Sequence, residues 1–442
     1  MGLKARLRKI KRKLLHELEN FRAGQLRHSN SRANFNQVEK SALLIPPGDD
    51  PGSFGDDAML QVCIDYLKLA GFKRFGIVSF GLTAKWDHLR HLTDVIYVSV
   101  HKDKLQLIND ISQYDRVYCL GADVIDGFYS DQNTLKRLRV IELSARVGVK
   151  TTILGCSFND RPTPSSVEAL SNLPASVRIC CRDPLSQKRF IQHVHRSAEL
   201  VADLAFLLSP ETNSSKVIEI YDWIQQQQAN ERVVIGFNGK NLYHGESLEL
   251  KAVDLAKVFA DTLIELFQSH QNLSFLMIPH DIRGTASDAV LAQEISSHLP
   301  SFIQPYQMQV PTPTSPAEIK AICAKLDFVV TGRMHLAVAC LGQATPVIGI
   351  TYQGKFEGLF EHFNLKDMTI EPEKAVQLGC LEAFISERLP KRHDIQHQLQ
   401  SELGKVKVLA NSNFADILAQ PSFIDVTSQE VNLIRDTATL PV

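Results

Sequence analysis

Basic side chains stand at the ends of several short apolar runs in this chain, where they could do chemistry on an anion. The sharpest case is Thr331-Gly-Arg-Met-His335. It follows the apolar run Phe328–Val330, and Met334, Val338 and Leu341 then recur at helical spacing until Gly342 stops the helix. Arg333 and His335 therefore fall in the first turn of a helix. Unpaired backbone N–H groups and the positive end of the helix dipole already favour anions there. Two basic side chains added to such a turn make an anion site, and the core needs neither. Arg182 ends another apolar run, before Asp183-Pro184, a good N-cap and first-turn pair. It is expected to point into a cleft. Lys355 follows the strand that ends at Ile350. Arg182, Arg333, His335 and Lys355 together would form a cationic pocket, in which Arg grips phosphate or carboxylate bidentately and Lys acts as a point charge.

Three further segments carry candidate acids, bases and ligand contacts. Pro279-His-Asp-Ile-Arg283 comes directly after a strand, so His280 and Asp281 are candidate proton-transfer groups, against the plainer reading of a surface or core histidine. Gly48-Asp-Asp-Pro-Gly-Ser-Phe-Gly-Asp-Asp57 joins a strand to a helix. Its glycines, Gly55 among them, allow a close backbone approach to a ligand. Asp57 is a catalytic candidate, although Asp56 or Asp57 could equally cap the helix. Gly236-Phe-Asn-Gly-Lys-Asn-Leu-Tyr-His-Gly245 reads as a substrate loop through Asn238, or as a long turn. Nothing matches a Walker loop, a Ser-His-Asp order or a metal cluster, so neither cofactor nor metal is expected.

The elements that must position these residues are legible in the hydrophobic pattern. Short apolar runs at Leu43–Ile45, Phe75–Phe80, Val95–Val100, Val117–Leu120, Thr151–Cys156 and Val177–Cys181 read as buried strands, with helical stretches such as Asp57–Ala70 and Asn133–Val147 between them. After Ser209–Ser215 the pattern restarts, with Val233–Phe237 and Leu273–Ile278 as strands and Leu248–His270 as a long helix. Strand-helix alternation implies parallel sheets covered on both faces. The fold expected is α/β, with two doubly wound Rossmann-like domains at 42–210 and 211–370 facing across a cleft. Residues 371–442 form a C-terminal helical extension.

At 442 residues, two domains are the default. The 44% hydrophobic and 22% charged fractions are those of an ordinary globular protein. The formal charge of −1 is unevenly spread, because residues 1–32 hold ten Lys/Arg against Glu17 and Glu19. Leu3, Leu7, Ile10, Leu14, Leu18 and Phe21 recur at helical spacing among those cations, a basic amphipathic helix suited to an anionic membrane surface through residues 1–21 or to docking on its own domain or a second copy of the chain. Residues 23–41 read as linker. No apolar run reaches membrane-spanning length and no signal-peptide core is present, so a cytoplasmic location, peripheral at the inner face of a membrane, is expected. The eight cysteines lack zinc spacing and read as buried free thiols. Nucleic acid is not an expected partner.

Over residues 42 to 370 the chain resembles the polysaccharide pyruvyl transferase family. The resemblance is carried by Thr331-Gly-Arg-Met-His335 with Pro346-Val-Ile-Gly-Ile350 and Lys355-Phe-Glu-Gly358. Arg182-Asp-Pro-Leu-Ser186, Val201-Ala-Asp-Leu-Ala-Phe206 and Gly55-Asp-Asp-Ala58 add to it. It implies a glycosyltransferase-B-like architecture, phosphoenolpyruvate as donor, and a pyruvate ketal formed across two hydroxyls of a sugar in a polysaccharide or lipid-linked glycan precursor. Arg182, Arg333, His335 and Lys355 are then expected at the two anionic groups of the donor. The chain departs from the family pattern at Ser53, where an Asn is usual, and at Leu120-Gly-Ala-Asp123, where a glycine triplet is usual. Bulk at Ala122 and Asp123 would narrow the cleft, change the acceptor or remove activity. A nucleotide-sugar glycosyltransferase of the same architecture and a non-catalytic, anionic-ligand-binding subunit of a glycan assembly complex are the competing readings.

Overall fold

The computed structural model describes residues 39–48, 51–81, 93–97, 104–240, 253–284, 287–312, 314–351, 354–365 and 367–418. Among these residues, thirteen strands form two parallel sheets. The first has seven: β1 (Ser41–Ile45), β2 (Arg74–Ser79), β3 (Thr93–Tyr97), β4 (Arg116–Ala122), β5 (Lys150–Cys156), β6 (Arg178–Cys181) and β7 (Glu199–Leu200). The second has six: β8 (Val233–Asn238), β9 (Leu273–Met277), β10 (Gln307–Gln309), β11 (Phe328–Thr331), β12 (Val347–Ile350) and β13 (Thr369–Ile370). Their orders are β3-β2-β1-β4-β5-β6-β7 and β10-β9-β8-β11-β12-β13. In both, the chain runs outward through three strands and then crosses back to the other side of the first, the doubly wound arrangement expected from the alternation of apolar runs and helical stretches. The apolar runs coincide with the strands to within a residue or two, because a strand covered on both faces tolerates no polar alternation; for the run Val95–Val100 residues 98–100 lie outside the described residues. The short strands β7, β10 and β13 left no clear signal of that kind.

A doubly wound sheet leaves a crevice beyond its strand ends where the order reverses. In the first sheet that point lies between β1 and β4, paired from Ala42↔Arg116 to Ile45↔Cys119. In the second it lies between β8 and β11, paired from Phe328↔Ile235 to Thr331↔Asn238. Stretches singled out by the sequence leave all four strands: part of Gly48–Asp57 after β1, Ala122-Asp123 at the end of β4, Asn238–Lys240 at the end of β8 and Thr331–His335 at the end of β11.

One apolar cluster spans both halves, from Leu44 and Met59 through Phe206 to Phe259, Leu336 and Phe360. A second, around Leu43, Ile141 and Phe158, lies within the first half. Lys320 strengthens the join. It is buried in the helix Pro316–Cys323 of the second half, and its Nζ donates to the carbonyls of Ala205 and Phe206 at 2.9 Å each. Burial pushes its amine down to about 7. The long helix Arg392–Asn411 and the turn after it return to the first half, where Phe414 stacks on Tyr66 and Asn413 donates to the Ala202 carbonyl. The walls of the crevice are therefore fixed relative to each other by packing and by hydrogen bonds.

The helix expected over Leu248–His270 is observed as Leu255–Ser269. The basic head at 1–21, the linker up to residue 38, residues 241–252 and the tail from 419 lie outside the described residues, and Ser41, read as the end of the linker, opens β1 instead. Among the described residues, no helix is long and apolar enough to cross a membrane, and no His/Cys/Asp/Glu cluster could hold a metal.

Candidate functional site

The strand ends converge on a cleft of about 240 Å³. Its floor is stitched by backbone. Ser53 and Asp281 form an antiparallel bridge, Phe54 N–H donates to the His280 carbonyl at 3.2 Å, and Ile282 N–H donates to the Gly52 carbonyl at 3.0 Å. The loop after β1 and the loop after β9 thus bind each other directly across the two halves.

Arg182 enters from the end of β6. Its Nε donates to Ser157 Oγ at 2.7 Å and its Nη1 to Asp203 Oδ2 at 2.8 Å, with His335 Nε2 3.3 Å away. Burial disfavours its charge, but Asp203 and Asp123 outweigh burial and hold the guanidinium above its ordinary value. Asp203 also faces His335 Nε2 at 3.4 Å, while its other oxygen accepts the Ala205 N–H at 2.9 Å and starts the turn Leu204–Leu207. Burial would raise this carboxyl, yet His335 and Arg182 keep it well below the ordinary range. Arg182 and His335, from opposite halves, do meet.

His335 sits where it does because residue 55 has no side chain. A Cβ on Gly55 would lie 2.1 Å from His335 Nδ1 and 2.4 Å from its Cβ. Gly55, read from the sequence as allowing a close approach to a ligand, lines the cleft and also leaves room for this imidazole.

Arg333 lines the cleft, but its fork is already engaged. Nη2 donates to Asp288 Oδ1 at 2.7 Å, Nε reaches the same carboxylate, and Nη1 donates to Asp281 Oδ2 at 3.1 Å. Asp288 is buried at the start of the helix Asp288–His298 and also accepts the N–H groups of His280 and Asp281. Burial works to raise the Asp281 carboxyl, and Arg283 and Arg333 hold it below its usual value. Lys355 reaches across to Asp123 at 2.7 Å and to the Tyr129 hydroxyl. Asp123 is pushed up by burial and pulled well below its ordinary value by Lys355 and Arg182. The pocket of bare cations expected from the sequence is in fact a lattice of cations held by carboxylates. Sequence spacing offered no sign of that pairing, because the partners lie in other elements.

Two candidates from the sequence do not line the cleft. Asp57 turns back to accept the Gly52 N–H at 2.9 Å, and burial pushes its carboxyl up to about 6. Its neighbour Asp56 faces the cleft, raised by burial against the pull of His335 and Arg283. Asn238 lies buried beneath the strand ends, donating to the Ile278 carbonyl and Asp288 and accepting from Thr331 Oγ1. Its side chain thus ties β8 to β11 and to the segment after β9. Lys240, two residues on, does line the cleft, and burial with the charges of Arg333 and Lys355 pushes its amine down to about 8.

His280 is 5% exposed, and neither ring nitrogen has a hydrogen-bond partner. Burial, then the charges of His335 and Arg333, push it down to about 3, so the ring is neutral at pH 7. A buried imidazole with both nitrogens unmatched is costly in a core and useful beside a ligand.

Comparison with solved structures finds the same two-unit, glycosyltransferase-B-like architecture. Anabaena HepE in complex with UDP and glucose matches with a TM-score of 0.54 at 15% identity, over 87% of this chain and 100% of that one. UDP-GlcNAc 2-epimerase from Neisseria meningitidis, bound to UDP-GlcNAc, matches with a TM-score of 0.54 at 8% identity, over 86% and 99%. A UDP-forming trehalose-phosphate synthase from Burkholderia xenovorans matches with a TM-score of 0.50 at 10% identity, over 86% and 99%. At such identities the likeness is one of fold alone. No curated protein matches. The family model for polysaccharide pyruvyl transferase matches residues 54–354, a span that opens beside Gly55 and takes in Arg182, Asp203, His280, Arg333 and His335. The chain belongs to the polysaccharide pyruvyl transferase family.

Proposed function

We propose that this transferase takes the pyruvyl group of phosphoenolpyruvate and places it as a ketal across two hydroxyls of a glycan sugar. The observation that carries the reading is the convergence of Arg182, Lys240, Arg283, Arg333, His335 and Lys355 on one small cleft that also holds an unpartnered neutral imidazole. Phosphoenolpyruvate brings a phosphate and a carboxylate close together and needs several cations at once. In the reaction a proton is added to the vinyl carbon, a sugar hydroxyl attacks the adjacent carbon, and the carbon–oxygen bond to phosphate breaks. The second hydroxyl closes the ketal, both hydroxyl protons are lost, and inorganic phosphate leaves. Lys240 and Lys355 are suited to the departing phosphate, whose charge they would stabilise. Asp56, with its raised pKa, and His280 are the groups placed to give and take protons, and His335 is oriented for the same work by Asp203.

The donor is tested by thermal denaturation. Phosphoenolpyruvate at 100 times its dissociation constant should stabilise the native state by about 2.7 kcal/mol, and UDP should not. A shift with UDP and none with phosphoenolpyruvate would replace the donor and make the chain a nucleotide-sugar enzyme. Phosphate release should require a glycan acceptor, and binding without release would make it a non-catalytic subunit.

Gly55→Ala should cut turnover roughly a hundredfold, because an ångström of misplacement at a reacting group has that cost. Its far-UV dichroism should stay native, and wild-type turnover would show that His335 need not lie against residue 55. At the basic head, a chain starting at Ser41 should lose binding to anionic liposomes. Undiminished binding would remove the membrane from the proposal.

A further inference from the structure

The segment after β4 is built stiffly and yet turns two large rings outward. Ala122 closes the strand at φ 39°, in the left-handed region that an alanine occupies only under constraint. Buried Asp126 then pins the loop. One of its carboxylate oxygens accepts the Phe128 N–H at 3.0 Å, and the other accepts the backbone and side-chain N–H groups of Asn159 at 2.9 and 2.7 Å. Its carbonyl accepts the Thr163 N–H at 2.9 Å. Gly127, at φ 83°, passes so near Thr163 that a Cβ would lie 2.2 Å from its hydroxyl. The next two residues are Phe128, 39% exposed, and Tyr129, 49% exposed, set edge to face at 5.3 Å. Tyr129 lines the cleft and its hydroxyl meets Lys355 Nζ.

A loop needed only to connect β4 to the helix Asp131–Arg146 would carry polar residues here. Instead a buried carboxylate fixes the backbone that holds Tyr129 at the cleft, with the exposed ring of Phe128 set edge to face beside it. We propose that Phe128 and Tyr129 form an acceptor subsite, a shelf for the C–H face of a sugar ring. A pyranose presents weakly positive C–H groups on one face and hydroxyls around its rim. Aromatic faces are negative and attract the former. The rim hydroxyls would then turn toward Asp123 and Lys355, where the chemistry is placed. Two side chains are far too little for a stable protein interface, which takes about 800 Å² per partner. The subsite rests on the reading of the cleft as a donor site, but its test does not.

The full chain is titrated with the methyl glycosides of galactose, mannose and N-acetylmannosamine by saturation-transfer NMR, with no donor present. At least one should bind, and Phe128→Ala and Tyr129→Leu should each weaken it roughly three- to tenfold, the size of one aromatic contact. Tyr129→Phe keeps the ring and should keep most of the binding, and it serves as control if the leucine variant unfolds. Unaltered affinity in Phe128→Ala and Tyr129→Leu overturns the shelf, and so does failure of all three glycosides to bind the wild type. A change of oligomeric state in Phe128→Ala without sugar binding would reassign the pair to a contact between chains, which also overturns it. Absence of a phosphoenolpyruvate shift, with shelf-dependent sugar binding intact, would sink the donor and leave the shelf standing.

Discussion

Arg182→Met should lower stability by about 3–5 kcal/mol, the cost of breaking a buried ion pair by removing one member. The side chain of Asp203 is 1% exposed and that of Arg182 is 3% exposed, so neither is screened by solvent. Chemical denaturation measures the loss directly. The double variant Arg182→Met/Asp203→Asn should recover much of it, because the asparagine still accepts the Ala205 N–H and carries no charge. Such coupling is what residues in contact show and distant residues do not. If the double variant is no more stable than Arg182→Met alone, the pair is not a unit, and the cleft is not held open by it. Neither variant should bind phosphoenolpyruvate, since His335 loses one or both of the groups that orient it.

His280→Phe should stabilise the protein and abolish turnover. The imidazole packs edge-on against Phe54 at 5.7 Å, and a phenyl ring can take that place without two unmatched nitrogens. Relief of an unsatisfied buried group is worth about 1–3 kcal/mol. The pH dependence follows from linkage. The folded-state value, about 3, lies below the unfolded 6.5, so the unfolded chain takes up the proton first as pH falls. The neutral ring's full contribution is present above 6.5 and is lost as pH falls from there toward 3. The stability gap between His280→Phe and wild type should therefore widen below pH 6.5, by at most about 1.4 kcal/mol per pH unit. Equal stability at all pH values, or a fully active variant, would return His280 to the role of a packing residue.

The two predictions divide the site into a part that supports and a part that reacts. Arg182, Asp203, Asp288 and Asn238 form a buried polar frame in which each partner is satisfied. Such frames are costly to break because every removal strands another group. Asp56, Lys240 and His280 are the groups whose protonation is shifted toward neutrality by burial, the signature expected of residues that exchange protons or meet a changing charge.

The strand-helix alternation of both halves and the basic residues at several strand ends were set by local pattern. A buried parallel strand must be apolar throughout, a helix must repeat every three to four residues, and the crevice lies beyond the strand ends. Asp183 ahead of Pro184 was readable as a cap for the same reason, and it accepts the Ser186 N–H at 2.7 Å. Partnership between distant elements was not readable. Nothing within the stretch around Thr331-Gly-Arg-Met-His335 announces that Arg333 grips Asp288, 45 residues away, or that His335 lies on Gly55. Nor could the sequence choose between Asp56 and Asp57, because adjacent residues in a first helical turn differ by about 100° in direction and only the neighbouring half of the molecule gives that difference meaning. Propensity and hydrophobic period act within a few residues. Charge pairing, burial and close approach depend on distances in space, and those exist only once the two sheets have packed.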